Sequence, residues 1–199
     1  MNISDEIYDL LSEKEFQNPD SGLLFFPVYV YTYPPEMEFE ARKQIKDLNE
    51  RLKRPSNNLN CLVVNIYEEF INYLKEHTFA GKTYLEQALE LEKIDPERSL
   101  RYLDQKVHGG EFINLIGNKF KNYFDAQAAD RVYLLLYGFG ASFPYLRLSE
   151  FLKNMEKYVK RYKLIAFYPG EYTNDNYSLF GALNDDNVYR ASHLNQLIS

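Results

Sequence analysis

The residues best suited to chemistry gather towards the C-terminal end of the chain. Glu171, Asp175, Asp185 and Asp186 could offer hard oxygen ligands to Mg²⁺. Acidic residues in turns also serve without a metal, because Asp and Asn bond their own backbone. Arg147 and Arg190 flank the same loops. Either they clamp a carboxylate or phosphate, or they fix the loops through salt bridges to Glu171, Asp185 or Asp186. Gly138-Phe139-Gly140 follows an apolar run and leads into a helical pattern, the setting of a dinucleotide-binding turn. However, Phe143 replaces the third glycine, and no acidic residue in an obvious following-strand position reads a ribose. Backbone donors there could still hold an anion, although a tight turn between packed elements explains the pattern equally. Ser142 lacks the Gly-x-Ser-x-Gly elbow of a nucleophile. Gly81-Lys82-Thr83 imitates the end of a P-loop, but Glu76 stands where the first glycine belongs and no strand precedes it. Gly81 is expected to end one helix and Thr83 to cap the next. His77, His108 and His193 show no metal-ligand spacing.

Elements must position these side chains. Arg131 to Tyr137 is a short continuous apolar run, as in a strand covered on both faces. Gly138 to Pro144 is a break, with Ser142 and Pro144 suiting a helix start. Leu148, Phe151, Leu152, Met155 and Val159 recur at helical spacing. Lys163 to Tyr168 is a second apolar run, stopped by Pro169-Gly170. The sum is a βαβ unit, and in open parallel sheets ligands bind outside the carboxyl edge.

Upstream, Ile3 to Glu15 reads as an amphipathic helix capped by Ser4. A strand is expected from Val28, after Pro27, and Tyr33-Pro34-Pro35-Glu36 ends it and opens a helix with the stripe Ala41, Ile45, Leu48 and Leu52. Asn60 to Ile66 is a further strand, followed by a helix through Phe70, Ile71 and Leu74. From Phe79 to Ala129 the pattern is helical throughout, broken at His108-Gly109-Gly110. Downstream, Tyr177 to Gly181 reads as a short strand, Asn184 to Asn187 as a polar turn and Val188 to Leu197 as a closing helix. The expected fold class is α/β: three layers around a mostly parallel sheet. It would be Rossmann-like or P-loop-like without the phosphate-binding motif, with a helical insertion at about 79–129 after the second strand. One domain is expected over residues 1–199.

The net charge of −6 argues against a large non-specific grip on nucleic acid. Lys153, Lys157, Lys160, Arg161 and Lys163 nevertheless gather at one helix end, where cations are favoured by the helix dipole. Cys61 is the single cysteine, so no internal disulfide forms, and beside Leu62-Val63-Val64 it should pack as a small hydrophobe. With neither a signal-peptide pattern nor a long apolar run, a cytoplasmic location is expected. The 18 tyrosines and 14 phenylalanines are read mainly as core, with some available for interfaces.

Several blocks carry a resemblance: Gly138-Phe-Gly-Ala-Ser-Phe-Pro-Tyr-Leu-Arg147, Phe167-Tyr-Pro-Gly-Glu-Tyr-Thr173, Leu179-Phe-Gly181 and Asp185-Asp-Asn-Val-Tyr-Arg-Ala191, with Tyr33-Pro34-Pro35 upstream. In order and spacing the chain resembles the BrxB family of bacterial BREX phage-defence systems. One departure is Leu148-Ser149, where many members place Ser-His after the arginine. The resemblance implies a small cytoplasmic component of a system that restricts phage DNA and methylates host DNA. Its companions would be PglX, a methyltransferase; PglZ, an alkaline-phosphatase-like protein; BrxC, an ATPase; and BrxA. It carries over no enzymatic activity, and no catalytic residue, cofactor or metal is expected. It favours an adaptor for the PglZ-like protein, with direct DNA contact weak or absent and no membrane attachment. The alternatives are a nucleotide- or phosphate-binding sensor and an accessory DNA-contacting protein. The candidate partner- or ligand-binding residues are Tyr33, Pro34, Gly138, Gly140, Ser142, Arg147, Pro169, Gly170, Glu171, Tyr172, Thr173, Asp185, Asp186 and Arg190.

Overall fold

The computed structural model describes residues 2–18, 20, 27–126, 129–159, 161–173, 176–185 and 191–198. Five parallel strands form its centre: β1 (Val28–Tyr33), β2 (Leu62–Asn65), β5 (Tyr133–Tyr137), β6 (Lys163–Thr173) and β9 (Ser192–His193). Their order across the sheet is β2-β5-β6-β1-β9. Two further strands, β7 (Asn176–Leu179) and β8 (Leu183–Asp185), run antiparallel beyond the carboxyl end of β6.

Side-chain alternation along each strand divides the core into two layers. Tyr29, Tyr31, Tyr33, Leu135, Ile165 and Phe167 point to one face. There they meet Ile3, Ile7 and Leu11 of α1 (Ile3–Ser12) and the expected stripe of α3 (Glu38–Leu52). Val28, Val30, Leu134, Leu136, Leu164 and Ala166 point to the other face. Against them pack α4 (Ile66–Glu76), α7 (Glu111–Phe124) and α9 (Leu148–Met155), through Phe70, Phe112, Ile116, Phe120, Phe151 and Met155. Coverage on both sides explains why the strands read as unbroken apolar runs. Each large side chain so buried contributes about 1.5–3 kcal/mol. This is the expected three-layer α/β architecture.

Five local expectations are corrected. The N-terminal helix stops at Ser12, and a short α2 (Lys14–Gln17) follows. Its cap is Asn2, whose side chain accepts from Ser4 N, while Ser4 Oγ is buried between Asp47 and Arg51. The insertion is not helical throughout. A hairpin, β3 (Thr78–Phe79) with β4 (Lys82–Thr83), turns at Ala80 and Gly81, both at positive φ, so Gly81 does not end a helix. Two-residue turns of this kind match the strand twist. Thr83 does cap α5 (Tyr84–Ile94), in a reciprocal capping box with Glu86, and α6 (Pro96–His108) follows. Next, Ser142 and Pro144 do not open the long helix. Ser142 ends a single turn, α8 (Phe139–Ser142), and α9 begins only after Arg147.

The fourth correction bears on the site. Pro169-Gly170 does not stop β6, which runs on to Thr173. Lys163 N bonds Val132 O and Leu164 N bonds Pro27 O. By alternation the donor-less Pro169 nitrogen faces the β5 side, beyond the last residue of β5, so no ladder bond is lost. Lastly, Asn184 and Asp185 lie in β8 rather than a turn. The closing helix is replaced by β9, paired parallel with β1, and a 3-10 turn over Leu194–Gln196. Residues 186–190 lie outside the described residues.

Candidate functional site at the carboxyl edge

The carboxyl ends of β1, β6 and β9 enclose an open groove of about 490 Å³. Thr32, Tyr33, Pro34, Pro35 and Glu36 line one wall, Gly170, Glu171, Tyr172 and Thr173 the other, and His193 the base. The walls exist because β1 ends in two prolines whereas β6 continues past it. Gly170 is required by close approach: a Cβ there would sit 2.1 Å from the carbonyl oxygen of Ser178 in the paired strand.

The base is held by side chains that imitate backbone. β9 pairs with β1 only at Tyr29 and Val30. Beyond that, Asn195 Oδ1 accepts from Thr32 N at 2.9 Å, and Asn195 Nδ2 donates to Thr32 O at 2.9 Å. Thr32 Oγ1 and His193 Nε2 are 3.0 Å apart. The His193 ring lies 4.2 Å from that of Tyr172, which in turn lies 4.7 Å from Tyr177. His193 Nδ1 is buried without a hydrogen-bond partner among the described residues, and desolvation holds the imidazole below its ordinary pKa. The ring at the base is therefore neutral at pH 7.

Glu36 and Glu171 stand exposed on opposite walls, and neither forms an ion pair among the described residues. The groove thus combines a neutral aromatic base with an acidic rim. It suits a cationic side chain that can lie on Tyr172 and reach a carboxylate.

Six of the sequence-selected residues meet here: Tyr33, Pro34, Gly170, Glu171, Tyr172 and Thr173. Tyr33 offers only its backbone side, because its phenol is buried and hydrogen-bonded to Glu38, with its pKa raised by burial and then by that carboxylate. Pro169 is buried behind the wall, against Gly140, where an added Cβ would stand 2.9 Å from Pro169 Cγ. Gly138 adopts φ +93°, and a Cβ there would meet Asn65 Oδ1 at 2.2 Å. That oxygen accepts from Tyr67 N at the start of α4, so the glycine turn is filled by packing. Ser142 is fully buried, and its hydroxyl donates to Gly138 O at 2.9 Å. Such a hydroxyl is no exposed nucleophile. Arg147 is half-buried, with its guanidinium 5.9 Å from the Phe143 ring centroid, and it lines no part of the groove. Of Asp185 only the backbone, paired with Tyr177, is described. Asp175, Asp186 and Arg190 lie outside the described residues. Among the described residues no three His, Cys, Asp or Glu side chains converge as metal ligands.

Sequence reasoning missed Thr32, Glu36, His193 and Asn195. The last two were assigned to a helix, which would have separated them from β1. The available signal was the Thr-Tyr-Pro-Pro-Glu end of β1, because a proline pair just past a strand leaves its edge open to another element.

The family model described as "BREX protein BrxB" matches residues 62–194. The chain belongs to the BrxB family. A BREX protein BrxB of Bacillus cereus (strain H3081.97) is 28% identical over 192 residues, covering 96% of this chain and 94% of the relative. A BREX protein BrxB of Escherichia coli O9:H4 (strain HS) is 24% identical over 189 residues, covering 95% and 88%. No solved structure matches significantly. The BrxB family match includes the Gly170–Thr173 wall and His193, whereas the Thr32–Glu36 wall precedes it. No helix among the described residues is long and apolar enough to cross a membrane.

Proposed function

We propose that the chain is a non-catalytic adaptor of a BREX phage-defence system, and that its carboxyl-edge groove docks a PglZ-like partner in the cytoplasm. The observation that carries this reading is the convergence of six sequence-selected residues on one open groove, with two carboxylates that form no ion pair among the described residues. Family membership supports the system-level role. The burial of Ser142 and the packing of Gly138 on Asn65 leave the glycine turn without a nucleophile or a vacant anion seat, which favours a binding role over a nucleotide sensor. The partner segment is expected to present an Arg or Lys between Glu36 and Glu171. Other BREX components, PglX, BrxC and BrxA, are further possible contacts within the assembly.

Co-expression with the PglZ-like companion, followed by pull-down and size exclusion, tests the reading. A stable complex weakened at least tenfold by Glu171→Ala with Tyr172→Ala supports docking at the groove. A complex that ignores these folded variants moves the interface elsewhere. Absence of any complex overturns the adaptor reading.

A further inference from the structure

A second cleft lies at the opposite edge of the sheet, near the amino ends of β5 and β6. It measures about 420 Å³, within the range of small-ligand sites (roughly 300–1,000 Å³). Lys121, Phe124 and Asp125 line it from the end of α7, and Lys157, Tyr158, Arg161 and Tyr162 from the turn before β6. We propose that this cleft binds a phosphate group, free or within a nucleic-acid backbone.

Charge is the first argument. Three cations face one carboxylate. Asp125 is hydrogen-bonded to Lys121, which with Arg161 holds it below the usual carboxylate range. Arg161 is exposed and has no ion pair among the described residues. Lys157 Nζ donates to the neutral Asn114 Oδ1 at 3.2 Å and lies 5.0 Å from the Tyr158 ring centroid, with no ion pair among the described residues. The cleft therefore keeps a positive excess on a chain whose net charge is −6.

Construction is the second. Tyr158 lies flat on Gly117, where an added Cβ would come within 2.3 Å of its ring, and its hydroxyl donates to Asn114 Oδ1 at 2.9 Å. Tyr162 stacks on Phe124, with ring centroids 3.8 Å apart and planes 12° from parallel. It is 1% exposed, and its hydroxyl has no hydrogen-bond partner among the described residues. A buried hydroxyl left unpaired is destabilising. The stacked rings close the floor of the cleft, and Lys157 and Arg161 would bond the oxygens of a phosphate above it. The sequence cluster from Lys153 to Lys163 concealed this arrangement. Lys163 is buried against Phe16 and Tyr29 in another part of the core, and Lys121 comes from a separate helix. Lys160 lies outside the described residues.

The full chain would be titrated at low salt with inorganic phosphate and pyrophosphate by calorimetry, and with a fluorescein-labelled single-stranded oligonucleotide by anisotropy. Saturable binding of at least one probe is expected. Lys157→Ala with Arg161→Ala should weaken it at least tenfold. Tyr162→Phe, which keeps the stack on Phe124, should leave both binding and thermal stability in place. Binding of the phosphates alone identifies a free anion, and binding of the oligonucleotide alone, with a salt slope made shallower by the double variant, identifies a backbone phosphate. Either supports the site. The proposal is overturned if neither probe saturates, or if the folded double variant binds as the parent does.

Discussion

The two edges of the sheet are built alike and charged oppositely. At each, two chain segments far apart in sequence close over strand ends, and aromatic rings form the base. At the carboxyl edge the rim is Glu36 and Glu171, and the base holds a neutral histidine. At the amino edge the rim is Lys157 and Arg161, and the base holds a phenol with no hydrogen-bond partner among the described residues. A net charge near −6 averages over this polarity and conceals it. Under the two proposals, a cationic partner and an anionic ligand would occupy separate edges, so neither would displace the other.

The largest expected effect would collapse one edge and spare the other. Gly170→Ala drives a Cβ into the Ser178 carbonyl, so it should cost on the order of 3 kcal/mol and lower the melting temperature by several degrees. In protein that remains folded, partner capture should disappear while phosphate binding persists. Loss of both together would mean that the two edges are not independent.

Alkaline titration probes the tyrosine-rich core that separates them. Burial raises the phenol pKa of Tyr33, Tyr133, Tyr31 and Tyr162 above the ordinary 10.0. Their contribution is fully present below pH about 10 and is lost as the pH rises above it. A steep fall in melting temperature above pH 10 is expected. A flat profile would contradict the described burial.

His193 gives the opposite sign at the carboxyl edge. Its folded-state pKa is lowered by desolvation, so its contribution is complete above about pH 6.5 and is lost as the pH falls through the folded value. His193→Gln should flatten the melting-temperature profile below about pH 6.5. An unchanged slope would place the acid sensitivity elsewhere.

The smallest effect sharpens the comparison most. Tyr162→Phe removes a buried hydroxyl that bonds nothing among the described residues, so stability should stay level or rise by about 1 kcal/mol, measured by chemical denaturation. A clear loss of stability would show that the hydroxyl has a partner in the folded protein.

Much of the architecture was legible because both sheet faces are covered. Val28–Tyr33, Tyr133–Tyr137 and the first half of β6 could only be buried strands, and Ala41, Ile45, Leu48 and Leu52 share one helical face. What escaped depended on tertiary partners. Pro169-Gly170 looks like a stop until the end of β5 frees the Pro169 nitrogen from any ladder duty. Ser192–His193 and Asn195 have no strand-like pattern of their own, and only β1 organises them. The groove was half legible: the Gly170–Thr173 wall is a sequence block, whereas Thr32, Glu36 and His193 join it through pairing across more than 130 residues of chain. The amino-edge cleft was hidden because a local run of lysines resembles one patch, although its members face different parts of the fold.

The amide of Asn195 has one more consequence. By occupying both the N–H and the carbonyl of Thr32, it blunts the outer border of β1 where β9 has ended. An open border of that kind recruits foreign strands and seeds aggregation. With it closed, a visiting polypeptide cannot extend the sheet by zippering along β1. A partner docked in this groove, as proposed, would then be recognised through its side chains, and its selectivity would rest on charge and ring contacts rather than on backbone pairing, which any sequence could supply.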